Sequence, residues 1–113
     1  MYKMTPTEIK TKLEQIASKY DTTANVHESK AWCVVAITTA NGITIRQEAS
    51  SIEEAIMSFK KEQFKDAINR SLEEAMALHL FPENQNLWAK RYKQWGYAAW
   101  DVAKEMQEIM KAA

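Results

Sequence analysis

Between Asn84 and Ala113, the residues Trp88, Tyr92, Trp95, Ala99, Val102, Met106 and Ile109 recur at alternating steps of four and three. That spacing sets all seven on one face of a long helix. Each aromatic ring in it can bury roughly 150–250 Å². Left in water, the stripe would make an apolar patch larger than the few hundred Å² a soluble monomer normally shows. The rest of the chain, or a second copy of it, must therefore cover this face. Gly96 lies inside the pattern without changing its phase. The helix is expected to run through it, with the missing side chain admitting a close neighbour.

The remaining segments suit that covering role. Thr5-Pro6-Thr7-Glu8 combines an N-cap, a proline at the first helical position and the acid of a capping box. Ile9, Leu13, Ile16 and Tyr20 then define an amphipathic helix of about 15 residues, ended by Asp21-Thr22-Thr23-Ala24-Asn25. Ala31 to Thr39 is rich in β-branched residues and Ile43 to Glu48 alternates, with Asn41-Gly42 between them. A two-residue turn would set Ile37 opposite Arg46. A three-residue loop, Ala40-Asn41-Gly42 with Gly42 left-handed, pairs Ile37 with Ile45 instead and is preferred. Cys33, Val35, Ile37, Ile43 and Ile45 then form the core face, while Trp32, Val34, Thr38, Thr44, Arg46 and Glu48 point outward. Asn25 to Glu28 is a candidate third strand. Ser50-Ser51-Ile52-Glu53-Glu54 opens another helical stretch with no glycine or proline before Pro82. One long helix is expected there, with a break near Ser71 as the alternative. Phe81-Pro82-Glu83-Asn84 then reverses the chain.

These elements predict an α+β fold: an N-terminal helix, a small antiparallel sheet of two or three strands, and a long C-terminal helical hairpin. The 113 residues suit a single domain, with 5–50 holding the first helix and the β-hairpin and 51–113 two long helices. Fifteen basic and fifteen acidic residues cancel. That balance disfavours a dedicated nucleic-acid coat, which carries a basic surplus. A lone cysteine, Cys33, and no apolar run long enough to span a bilayer point to a reducing cytoplasm and away from a membrane partner.

Catalytic signals are weak. His27 and His79 are isolated, and His79 reads as a partly buried helix residue. Glycine-rich phosphate loops, Cys-x-x-Cys pairs and His-x-x-x-His zinc spacing are all missing. Glu53, Glu54, Glu73 and Glu74 read as acids of first helical turns. Neither an enzyme nor a cofactor is expected. The richest segment is Trp88 to Tyr97, which interleaves Lys90, Arg91 and Lys93 with rings. Its candidate contact residues are Lys90, Arg91, Lys93, and two aromatics expected to be exposed because they sit off the main stripe, Tyr97 and Trp100. Trp32 and Arg46 on the outer sheet face complete the set.

Over residues 5–65 the element order resembles the α-β-β-β-α layout of double-stranded-RNA-binding domains. That resemblance implies a phosphate-contacting lysine cluster at the start of the closing helix. Ser51-Ile52-Glu53-Glu54 stands there instead and would repel phosphate. The expected function is thus that of a small cytoplasmic protein-binding module occluding a surface of a larger protein. Its economy is that of bacterial or phage regulators and inhibitors of defence systems. The alternative is nucleic-acid binding through the 88–97 segment, joined by Lys60, Lys61 and Lys65. Homodimerisation through the aromatic stripe is the further expectation if no partner element inside the chain is long enough.

Overall fold

A computed structural model describes residues 3–80 and 82–112. Helix α1 (Pro6–Lys19) leads into strands β1 (Thr23–Ser29), β2 (Trp32–Thr38) and β3 (Thr44–Ala49). Helices α2 (Ile52–Met57), α3 (Lys61–Ala77) and α4 (Gln85–Ala112) follow. The sheet is antiparallel in the order β1-β2-β3. The fold class read from the sequence is the one observed.

Local chemistry explains each boundary. Thr5 Oγ1 accepts from the Glu8 N–H and Glu8 Oε1 accepts from the Thr5 N–H, both at 3.2 Å, closing the expected capping box. The helix ends where Asp21 turns left-handed, at φ 55°, and the Thr22 N–H reaches back to the Ala17 carbonyl. In the hairpin Ile37 pairs with Ile45, and Gly42 sits at φ +90°. This is the three-residue loop, chosen because it buries Val35, Ile37 and Ile45 together. Cys33 is buried with them, whereas Ile43 at the hairpin end is half-buried.

Residues 52–77 correct the expectation of one continuous helix, and the break is not at Ser71. It lies at Ser58–Lys60. Phe59 and Phe64 are five residues apart, out of phase for a single helical face. Breaking the helix lets both enter the core, with exposures of 3% and 1% and ring centroids 5.6 Å apart. The break frees backbone carbonyls, and side-chain amides take them up. Gln107 Nε2 donates to Ile56 O and Phe59 O at 3.0 Å each, and Gln47 Nε2 donates to Ser58 O at 2.9 Å. A second correction follows. Glu53 and Glu54 do lie in a first turn, but Glu73 and Glu74 fall near the C-terminal end of α3, where the helix dipole disfavours acids. A third concerns His79, which is exposed at φ 53° and ends the helix in a left-handed cap, with the Leu80 N–H on Ala75 O. Of the chain-reversing segment, Phe81 lies outside the described residues.

Helices α1, α2 and the C-terminal half of α4 cover one sheet face, and their apolar residues form a single core with it. The other sheet face is turned to solvent. The α3–α4 hairpin continues past this core. It gives the molecule principal extents of 53 × 25 × 19 Å and a radius of gyration of 15.3 Å. A compact chain of this length would have a radius near ~13 Å.

Lys19 and Glu105 tie α1 to α4 through a 2.7 Å hydrogen-bonded ion pair. The hydrogen bond to Glu105 holds the Lys19 ammonium above the ordinary lysine range, with desolvation opposing and the Glu105 charge assisting. A lysine whose folded pKa is raised contributes its stability in full below the ordinary lysine range, and loses it as pH rises through the folded value. The stability gap between the native chain and Lys19→Met should thus stay constant through neutral pH and close only in strong alkali. Chemical denaturation across that range measures it, and a gap that closes near neutrality would contradict the assignment.

Candidate interaction surface

The stripe on α4 is covered from within the chain, in two regimes. Ala99, Val102 and Met106 are fully buried against the α/β core, while Trp88, Tyr92, Trp95 and Ile109 are half-buried. The reason is geometric. The first half of α4 has only α3 beside it, and two helices cannot enclose a ring row that a third layer would seal. The rings instead pack on one another, Tyr92–Trp95 at 5.6 Å and Trp88–Trp95 at 6.2 Å between centroids. Arg91 lies over the Trp88 ring at 5.0 Å.

Gly96 permits the approach of α3. A Cβ there would stand 1.1 Å from Ile68 Cδ1, so Ile68 occupies the space a side chain would need. One turn further on, Phe64 packs on Trp100 with centroids 5.5 Å apart. Trp100 is therefore half-buried against the core, correcting its expected exposure. It lies between the stripe and the solvent side of α4, and the broken α2–α3 segment brings Phe64 under it. Tyr97 is exposed as expected, at 42%, with Lys61 Nζ 5.7 Å above its ring.

Beside this crossing the two helices diverge and leave a groove of about 270 Å³, lined by Lys65, Ile68, Asn69, Lys93 and Tyr97. Lys65 and Lys93, far apart in sequence, thus share one feature. Lys90 and Arg91 are exposed on the same half of α4. The ion pairs Lys3–Glu53, Lys19–Glu105 and Arg46–Glu48 lie elsewhere, and among the described residues none involves Lys61, Lys65, Lys90, Arg91 or Lys93.

The connection between α3 and α4 corrects one more expectation: helical spacing from Phe64, Ile68, Leu72 and Met76 sets Leu80 on the apolar face, but the helix ends before it and leaves it in water. Leu78 is 70% exposed, Leu80 63% and Leu87 47%. Single exposed leucines are ordinary, but three of them fall within ten residues around the α3–α4 connection, at the end of the hairpin.

Trp32 and Arg46 are on the solvent face of the sheet, on the side away from α4. Trp32 is 49% exposed, and α4 does not cover it. Its indole N–H donates to Glu48 Oε2 at 3.3 Å, and Arg46 Nη2 lies 4.0 Å from Glu48 Oε1. Around them are Asn25, His27 and Thr44, with Thr38 and Thr44 hydroxyls 2.9 Å apart. The seven candidate contact residues therefore divide. Lys90, Arg91, Lys93, Tyr97 and Trp100 belong to the hairpin, and Trp32 and Arg46 to a separate polar face.

Among the described residues, no group of three or more His, Cys, Asp or Glu side chains could hold a metal ion, and no helix is long and apolar enough to cross a membrane. No family model, curated protein or solved structure matches the chain.

Proposed function

We propose that this protein is a non-catalytic binding module, which uses the projecting α3–α4 hairpin to occupy a surface of a larger protein. The observation that carries this reading is the hairpin itself. Its end bears Leu78, Leu80 and Leu87 in water, and its shaft bears half-buried rings beside Lys90, Arg91, Lys93 and Tyr97. Aromatic and arginine anchors with apolar neighbours are the side chains that dominate protein–protein affinity. A rigid hairpin also loses little conformational freedom on docking. Such a module acts by occlusion, as small bacterial or phage inhibitors of defence systems do, working in the cytoplasm and needing no cofactor.

The alternative, a nucleic-acid binder, draws support from one observation: Lys65 and Lys93 converge on one groove. The zero net charge and the exposed leucines favour the protein partner.

Capture from the native proteome with the wild-type chain and with Leu80→Glu/Leu87→Glu tests the proposal. Both positions are exposed, so the variant should fold with an unchanged melting temperature and lose its partner. Interface anchors cost about 2 kcal/mol or more when removed, roughly thirtyfold or more in affinity. A variant that retains every captured protein would sink the proposal. So would concentration-dependent dimerisation abolished by the same substitutions, which would make a second copy the occupant.

A further inference from the structure

The groove at the Gly96 crossing has a chemistry the apolar hairpin end lacks. Its floor is Ile68, 3% exposed, and its walls are Lys65 and Asn69 from α3 and Lys93 and Tyr97 from α4. Two ammonium groups, a carboxamide and a phenol therefore line one space of about 270 Å³. Lys61 stands beside them over the Tyr97 ring. Between Asn84 and Trp100 the sequence holds three cations and not one acid. Lysine side chains left without an ion pair around an apolar floor suit an anion that brings methylene groups with it.

We infer that this groove seats an acidic side chain of the partner protein. A glutamate or aspartate carboxylate would sit between Lys65 and Lys93, with its methylenes on Ile68 and the Tyr97 ring. The inference rests on the reading of the hairpin as a docking element and names the chemistry of what it docks to. A single carboxylate is favoured over a phosphate backbone because acids flank the groove on α3 and on α4 past Tyr97. Glu62 and Asp66 adjoin Lys61 and Lys65 along α3, and Asp101 lies one turn beyond Tyr97 on the same stripe of α4. A polyanion following α3, or following α4 beyond Tyr97, would meet those acids within a turn. One acidic side chain would not. The chain as a whole offers no basic surplus to offset that repulsion.

The test is an amide-resolved NMR titration of the full chain with a capped Leu-Glu-Leu-Glu-Leu peptide, and separately with an oligothymidylate of equal charge. The peptide should produce saturable shifts at Lys65, Asn69, Lys93 and Tyr97 that weaken as salt is raised. Lys65→Glu/Lys93→Glu alters only exposed positions. It should leave the melting curve in place, weaken the peptide about tenfold, and gain binding to the matching Leu-Lys-Leu-Lys-Leu peptide. Absence of saturable shifts overturns the inference, as does equal affinity in the charge-reversed variant. Tighter binding of the oligothymidylate at the same signals overturns it in favour of nucleic acid. The two readings fail separately. Peptide binding combined with undiminished partner capture by Leu80→Glu/Leu87→Glu refutes the docking role of the hairpin end alone. Lost capture combined with no peptide response refutes the groove alone.

Discussion

Gly96→Ala will destabilise the protein, although alanine is the better helix former. The propensity gain is about 1 kcal/mol in alanine's favour. Against it, the new Cβ would fall 1.1 Å from Ile68 Cδ1 and 2.4 Å from its Cγ1, so the whole outer part of Ile68 must move. Isoleucine is stiff at χ1, and the open space Ile68 adjoins is the groove it floors, so relief in that direction gives up the burial it has at 3% exposure. Overpacking of this kind typically costs ~1–3 kcal/mol, and Gly96→Val should lie at or above the top of that range. Thermal unfolding should show the loss as a fall of about 4 °C per kcal/mol. The mechanism makes a sharper demand through a double-mutant cycle. Ile68→Ala alone should cost ~2–5 kcal/mol, and markedly less in the Gly96→Ala background, because the new methyl fills part of the vacated space. Additive effects, or a Gly96→Ala protein as stable as the native one, would show that the helices do not depend on this contact.

Gln107→Met should cost about 1–3 kcal/mol with little change in side-chain volume. Gln107 is 9% exposed and donates both amide hydrogens, to Ile56 O and Phe59 O. Both carbonyls lie at the interruption between α2 and α3; when a thioether replaces the carboxamide Phe59 O loses its amide donor, whereas Ile56 O keeps the Phe59 N–H at 3.3 Å. A buried carbonyl left without a donor costs ~1–3 kcal/mol. Gln107→Glu should be worse, because a carboxylate presents lone pairs to two carbonyl oxygens. Urea denaturation measures both. A cost within experimental error would mean that water reaches the interruption and that Gln107 does not hold it.

The two effects mark the extent to which the fold could be read in advance. Helix starts at Thr5 and Ser51, the hairpin register and the continuity of the last helix were legible, because each depends on residues close in sequence. A capping side chain reaches its backbone donor three positions away. The pairing of Ile37 with Ile45 follows once Gly42 takes the left-handed turn. The close approach at Gly96 was legible in kind, since a glycine that leaves a stripe in phase is an opening for something. That Ile68 fills it was not.

The candidate surface was legible only in part, for the same reason. Lys90, Arg91, Lys93 and Tyr97 belong to one helix, and their exposure follows from its periodicity. Trp100 is more covered than its place off the stripe implied, because its partner, Phe64, lies just past a helix interruption where one continuous helix was expected. The groove joining Lys65 to Lys93, and the bare leucines of the connection, depend on where α3 ends and how far the hairpin overshoots the core.

By itself, then, the sequence determined the elements and the apolar face each must hide, since propensity, capping and periodicity act within a few residues. Only the tertiary structure decided where α2 gives way to α3 and which face of the hairpin stays uncovered. Both depend on the packing of Phe59, Phe64 and Ile68 against α4, contacts between residues some thirty to fifty positions apart. No local rule reaches that far.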